Sequence, residues 1–295
     1  MSDIDAILIT GPTASGKSQH ALEWARKTGG AVVNADSMQV YDTLRVLTAR
    51  PSEEEMEGID HLLYGHVPAS RAYSTGAWLR DMEAVLARLR SEGRMPVIVG
   101  GTGLYFKALT EGLSEMPAIP PAVRERVRAR LEALGPEALH AELADIDSPA
   151  AERIGRQDGQ RIARAIEVFE ASGQTLTGLQ RASAPPLVDP ARALKMVILP
   201  DRAILADRIN RRFERMLAGE AIAEVEALLR LSLPDTLPVM RAIGVPEIRE
   251  HLAGRLGFDA VRERGAAATR QYAKRQMTWF RNQMDDGWER ISAAQ

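Results

Sequence analysis

GPTASGKS at residues 11–18 stands directly behind the apolar run Ala6-Ile7-Leu8-Ile9, so a strand feeds a glycine-spaced loop that ends in Lys-Ser. Gly11 and Gly16 let the backbone curl without Cβ clashes, which aims successive N–H groups at phosphate oxygens. Pro12, Thr13, Ala14 and Ser15 complete the curl, Lys17 adds a positive charge, and the Ser18 hydroxyl is placed to ligate Mg²⁺. The segment behind it, with Ala21, Leu22, Trp24 and Ala25, has the spacing of an amphipathic helix. A turn that is merely glycine-rich does not call for Lys-Ser at its end. The loop is a phosphate cradle, and the residues in it do not say whose phosphate it holds.

Working outward, short apolar runs recur at Ala6–Ile9, Ala31–Val33, Pro96–Val99 and Met196–Leu199, with helical periodicity between them, as over Trp78–Leu89. Strands buried on both faces and joined by crossover helices have this pattern. The fold class is therefore α/β: a P-loop core with a parallel sheet flanked by helices. Residues 114–192 differ, being strand-poor, rich in Arg, Glu and Ala, and broken by Pro117, Pro120, Pro121, Pro136, Pro149, Pro185, Pro186 and Pro190. They read as a helical insertion domain between the core segments 1–113 and 193–295, with helices over Ala122–Leu134 and Gln160–Ser172, the second stopped by Gly173. The core then resumes with a long amphipathic helix from about Ala203 to Leu229 and a basic one over Ala260–Arg281, which carries six basic residues against one acidic.

With 295 residues, 45% of them hydrophobic and 26% charged, the chain can bury a full core. It has no run of about eighteen apolar residues and no basic, apolar leader, so the expectation is a cytoplasmic protein without a membrane partner. Cysteine is absent, which excludes disulfides and thiolate catalysis, and the five histidines form no metal-ligand pattern. A net charge of −2 argues against indiscriminate coating of nucleic acid but leaves room for a local basic groove. Nothing resembles a coiled coil, so a monomer is expected.

Two further stretches carry chemistry. The second strand runs into Asn34-Ala35-Asp36-Ser37-Met38-Gln39, which sets a carboxylate at the carboxyl edge of a parallel sheet, where such sheets bind ligands. Asp36 there suits a helix cap, a metal-holding aspartate or a general base, and the pattern alone leaves all three open. The strand Val97–Val99 runs into Gly100-Gly101-Thr102-Gly103, a second glycine turn at the same edge, with the Thr102 hydroxyl held between glycines. Arg124, the run Gln160-Arg161-Ile162-Ala163-Arg164 and the run Arg241-Ala242-Ile243-Gly244 are basic segments that, singly, read as solvated faces.

Together these segments resemble the tRNA dimethylallyltransferases, also called tRNA isopentenyltransferases. The likeness covers essentially the whole chain: GPTASGKS at 11–18, DSMQVY at 36–41, TARP at 48–51, GGTGLYFKAL at 100–109, DGQRIARAIEV at 158–168, RRFERML at 211–217, RAIG at 241–244 and TRQYAKRQMTWFR at 269–281. It departs from the family pattern at Val245-Pro246 and over Asp60–His66. The resemblance implies transfer of a dimethylallyl group from dimethylallyl diphosphate to N6 of the adenosine 3′ of the anticodon, in tRNAs reading codons that begin with U, with Mg²⁺ as cofactor. It implies that residues 11–18 hold the donor's diphosphate with the metal on Ser18, and that Lys17, Asp36, Thr102 and Arg212 form the catalytic set. Asp36 would take the proton of the adenine amine and Arg212 would neutralise the leaving diphosphate. Ser37, Met38 and Gln39 with Thr102, Arg124, residues 160–164 and Arg241–Pro246 would contact tRNA, and the insertion would grip the anticodon stem-loop. The rival readings are a P-loop kinase for a small acceptor and a nucleotide-gated RNA-binding module without chemistry.

Overall fold

The computed structural model describes residues 4–182 and 184–292. The chain divides into two compact units, one running to Thr110 and resuming at Leu187, the other Glu111–Pro186. Leu187 and Val188 stand inside the span read from the sequence as insertion, yet both donate their N–H to the Leu109 carbonyl and pack in the first unit.

The first unit begins with β1 (Ala6–Thr10), α1 (Lys17–Thr28), β2 (Ala31–Asn34), a short α2 (Glu53–Met56), β3 (His61–Leu62), α3 (Thr75–Ser91), β4 (Pro96–Gly100) and α4 (Gly103–Glu111). The second unit holds α5 (Pro121–Ile146), α6 (Ser148–Arg153), α7 (Gly159–Ser172) and α8 (Leu176–Arg181). The chain then returns through β5 (Ala193–Ile198), α9 (Arg202–Ala218), α10 (Ala221–Arg230), α11 (Val245–Leu252), α12 (Phe258–Gln283) and β6 (Glu289–Ile291).

The six strands form one parallel sheet in the order β3-β2-β4-β1-β5-β6. Its strands are apolar at successive positions because both faces are covered. Leu8, Val33, Ile98 and Val197 face one layer, where Trp78, Met82, Leu86 and Leu89 of α3 pack with Phe106 and Phe280. Ile7, Ile9, Val32, Val97 and Val99 face the other, against Ala21 and Ala25 of α1. A further core gathers Phe213, Leu217, Val225, Leu228, Val245 and Ile248 from α9–α11 around Val40, Tyr41 and Leu44.

The expected helix Ala203–Leu229 is two helices. Gly219 leaves helical geometry (φ −99°, ψ −138°) and its N–H closes α9 on the Arg215 and Met216 carbonyls, a break at the residue type that costs a helix interior most after proline. β3 and β6 were not anticipated, since two or three residues are too short to show a period.

In the second unit, α5 bends at Gly135 (φ 78°, ψ 167°), just before Pro136, and its halves close on α7 through Val127, Leu139, Leu143, Ile162 and Ile166. Gly173 caps α7 in the left-handed region, as its position in the sequence suggested.

Candidate active site

Because β2, β4 and β1 are neighbours, the segments leaving their carboxyl ends meet at one edge of the sheet. The phosphate loop leaves β1, the Asp36 segment leaves β2 and the Gly101–Gly103 turn leaves β4. α9 follows the adjacent β5 and carries Arg212. Sequence order alone does not give this neighbourhood; the insertion of β4 between β1 and β2 does.

The loop is curled as a nest. Ala14 (φ 63°) and Gly16 (φ 91°) take left-handed backbone, and a Cβ on Gly11 would come within 2.6 Å of the Ile198 carbonyl oxygen. Among the described residues Ser15 Oγ is buried with no hydrogen-bond partner, an oxygen donor and acceptor left for something the loop holds. Thr13 N–H donates to Gln276 Oε1 (2.9 Å), and Gln276 Nε2 donates to the Gly101 carbonyl (2.8 Å). One buried amide on α12 thus ties the phosphate loop to the turn after β4.

Asp36 is fixed from both sides. Asn34, itself buried, accepts the Asp36 N–H on Oδ1 (2.9 Å) and donates Nδ2 to the carbonyls of Asp36 and Leu63 (3.0 Å each). Asp36 Oδ1 accepts the Met38 N–H (2.9 Å), and a Cβ built on Gly101 would lie 3.5 Å from Oδ2, so that oxygen faces the β4 turn. Thr102 Oγ1 accepts the Ser37 N–H (2.9 Å) and lies 3.3 Å from Ser37 Oγ. Asp36, Ser37 and Thr102 are brought together.

The electrostatics centre on Asp36. Burial lowers the Lys17 pKa to about 8; Asp36 opposes the shift and Arg212 adds to it. Arg212 is held below its usual range by burial, again with Asp36 working the other way. Among the described residues, neither cation closes an ion pair with a carboxylate; Lys17 Nζ donates to the Pro12 carbonyl (3.2 Å). The phenols of Tyr64, Tyr105 and Tyr272 are all pushed up, first by burial and then by the same carboxylate. Two desolvated cations and three protonated phenols thus feel one aspartate, the kind of perturbed cluster that marks a working site.

Among the described residues no three His, Cys, Asp or Glu side chains form a metal cage. Mg²⁺ does not need one, because it keeps several waters and takes oxygens from substrate phosphates. The hydroxyl oxygens of Ser15 and Ser18 in the loop suit such an ion.

The remaining predicted residues fall in separate places. Gln39 Nε2 donates to the Thr48 and Ala49 carbonyls (2.9 and 3.0 Å), so its amide nitrogen is spent on the protein's own backbone. Arg241 is exposed, Ala242 is buried, Ile243 is half-buried, and Gly244 (φ 98°) has Leu47 so close that a Cβ would meet it at 2.7 Å. In the second unit, Arg124 is exposed on the first turn of α5, and Gln160 and Arg161 are exposed on α7. Arg161 pairs with Asp158 (3.2 Å) and Arg164 with Glu167 (3.7 Å). Ile162 and Ala163 lie in that unit's core, which leaves contact with any ligand to the polar members of the run.

Sequence reasoning missed Asn34, Gln276 and the three tyrosines. Gln276 had a signal: it sits on the apolar face of α12 with Ala273, Met277 and Phe280, and a polar residue on such a stripe asks for a partner. Tyr105 and Tyr272 stand in the signature stretches 100–109 and 269–281 and Tyr64 within Asp60–His66, but nothing in segments so far apart says that the three share one carboxylate.

Residues 39–283 match the IPP transferase family, and residues 4–71 match the Isopentenyl transferase family. The chain is 63% identical over 292 residues to the tRNA dimethylallyltransferase of Rhizobium leguminosarum bv. trifolii, covering 99% of this chain and 98% of that protein. It is also 63% identical to the tRNA dimethylallyltransferase of Agrobacterium fabrum, over 98% and 97% of the two chains. The crystal structure of the full-length tRNA isopentenylpyrophosphate transferase of Bacillus halodurans is similar at TM-score 0.69 and 30% identity, over 98% of this chain and 89% of that one. A eukaryotic dimethylallyltransferase acting on tRNA is similar at TM-score 0.79 and 26% identity, over 94% and 70%.

Proposed function

The chain belongs to the tRNA dimethylallyltransferase family, and we propose that it moves a dimethylallyl group from dimethylallyl diphosphate to N6 of the adenosine 3′-adjacent to the anticodon, in tRNAs whose codons begin with U. One observation carries this reading: Lys17 and Arg212, both desolvated, share the field of Asp36 at the mouth of the phosphate loop.

In this reaction the N6 lone pair forms a bond to C1 of the allyl group, the C1–O bond breaks, and its electron pair leaves with diphosphate. Charge builds at both ends. The loop's N–H groups, Lys17 and Arg212 stabilise the departing diphosphate; removing one such donor typically costs about 10²–10³ in rate. Mg²⁺ held at Ser18 would neutralise further phosphate charge. Asp36 accepts the proton that N6 loses, a general-base contribution of about 10²–10⁴. Thr102 supports it by holding the Ser37 N–H, which fixes the segment behind the carboxylate.

The adenine must leave the anticodon stack to reach Asp36, as bases do in enzymes that modify them. Ser37, Met38, Gln39 and Arg241–Pro246 line the acceptor side in this reading. The second unit grips the anticodon stem-loop through Arg124, Gln160, Arg161 and Arg164. In this reading the enzyme works as a monomer in the cytoplasm.

The test is single-turnover transfer of label from dimethylallyl diphosphate to unmodified tRNA in the presence of Mg²⁺. Wild type yields N6-prenylated adenosine, and Asp36→Ala slows transfer at least about tenfold with donor and tRNA affinities retained. Label that stays in the donor while ATP is consumed overturns the reading in favour of a kinase; wild-type rates in Asp36→Ala remove the general base.

A further inference from the structure

Loop 44–50 lies outside the catalytic set, yet an unusual number of polar contacts hold it. Glu224, half-buried on α10, accepts the backbone N–H of Arg45 (2.9 Å) and Val46 (2.7 Å) on Oε1 and that of Leu47 (3.1 Å) on Oε2. Three consecutive amides aimed at one carboxylate resemble the open N-terminus of a helix met by its cap, and bonds to an ionised acceptor are the strong kind. The loop is closed by Thr48 Oγ1 donating to the Leu44 carbonyl (2.7 Å), and Ala49 takes left-handed backbone (φ 53°). Arg50 pins its far end, donating to the Tyr41 and Asp42 carbonyls (3.2 and 3.1 Å).

Two segments assigned above to the acceptor side rest on this loop. Gln39 hangs from the Thr48 and Ala49 carbonyls, three residues beyond Asp36. Leu47 packs against Gly244, with Phe213 of α9 beside it. The path therefore runs from the Glu224 carboxylate through the amides of residues 45–47 to Gln39 on one side and to Gly244 on the other.

We infer that Glu224 is a positioning residue for the acceptor: it fixes loop 44–50, and through it Gln39 and Gly244, in the geometry that presents the tRNA base to Asp36. This rests on the functional reading above. The phosphate loop on the donor side does not rest on Glu224, because it is tied to Gln276 and β1 instead. Displacing an acceptor by about 1 Å can cost 10²-fold in rate, which is ample leverage for a loop that holds two of its contact segments.

The experiment measures steady-state transfer from dimethylallyl diphosphate to unmodified tRNA for wild type, Glu224→Ala, Gln39→Ala and the double variant, with inorganic diphosphate affinity as the donor-side control. Glu224→Ala is expected to lower kcat/KM for tRNA by about 10- to 10²-fold, with diphosphate affinity within about twofold of wild type. The double variant is expected within about twofold of the slower single one, since both act through the same loop. Amide exchange at Arg45–Leu47 is expected to speed up in Glu224→Ala and less in Glu224→Gln, which keeps one carbonyl oxygen; this arm serves even if Glu224→Ala folds poorly. An active wild type with Glu224→Ala unchanged toward tRNA, equal losses on the donor and acceptor sides, or losses that multiply in the double variant each overturn the inference. A wild type that transfers no label fails the functional reading instead, whatever Glu224 does.

Discussion

The two edges of the parallel sheet are built from the same strands and treat charge in opposite ways. At the amino edge, Arg94 meets Asp60 (2.6 Å) and Glu92 (3.5 Å), Arg192 meets Asp5 (2.7 Å), and Arg90 donates to the Leu187 carbonyl (3.0 Å). Each guanidinium there is matched by an acceptor of the protein itself. At the carboxyl edge, Lys17 and Arg212 are desolvated beside Asp36 and close no ion pair among the described residues. Paired arginines fasten an edge; cations kept short of partners leave their charge for a ligand. The difference makes the carboxyl edge the place suited to a charged ligand.

The sharpest way to break this comparison is to remove a cation from the carboxyl edge. Lys17→Met is expected to slow prenyl transfer about 10²–10³-fold in single-turnover measurements. It is not expected to destabilise the fold at neutral pH, because burial works against the Lys17 charge. With a folded pKa of about 8 against 10.5 for an unfolded lysine, the unfolded chain binds the extra proton between those values. Stability therefore rises with pH across that window in wild type, and the slope disappears in Lys17→Met. Activity has the opposite sign: kcat/KM for the donor falls as pH rises through about 8, where free enzyme loses the charge. Whatever activity Lys17→Arg retains should lack that limb, since a guanidinium does not titrate there. A wild-type profile flat to pH 10 would detach Lys17 from donor binding.

A smaller effect is expected from the residue that joins two turns of the same edge. Gln276→Leu keeps the volume on α12 but strands the Thr13 N–H and the Gly101 carbonyl. Leaving buried polar groups unpaired costs roughly 1–3 kcal/mol, so a lower Tm should accompany a loss of transfer rate. If Gln276→Leu lowers Tm while kcat and donor KM stay put, the bridge is structural only, and the carboxyl edge owes its alignment to the strands alone.

Much of this edge was legible in the sequence because its motifs are local. The phosphate loop, Asp36 and the Gly100–Gly103 turn each follow an apolar run, and the rule that ligands bind at strand carboxyl ends brings them to one place. What was not legible depends on strand order and on side chains that reach across the fold. Nothing in the residues says that β4 lies between β1 and β2, and so nothing says that Gln276 spans two turns or that Tyr64, Tyr105 and Tyr272 feel the charge of one carboxylate. Within the basic runs, Ile162, Ala163 and Ala242 are buried, as their own apolar character suggests, so their side chains support the segment while its polar members face outward. A helical contact motif alternates between the face that meets a ligand and the face that holds the helix in place.

The smallest expected effect lies at the amino edge, and it is the control that gives the comparison its meaning. Arg94→Met removes both ion pairs of that residue. Its carboxylate partners remain exposed enough for water to take over, and pairs of this kind contribute under about 1 kcal/mol. Tm should therefore fall slightly, more at low salt than at high, while kcat and both KM values stay within about twofold of wild type. The two edges are separated by the length of strands that are buried on both faces and paired throughout. A loss of transfer in Arg94→Met as large as that in Lys17→Met would mean that charge anywhere on the core is felt at the site. Activity would then follow the overall field of the protein, and the unpaired cations at the carboxyl edge would lose their special standing.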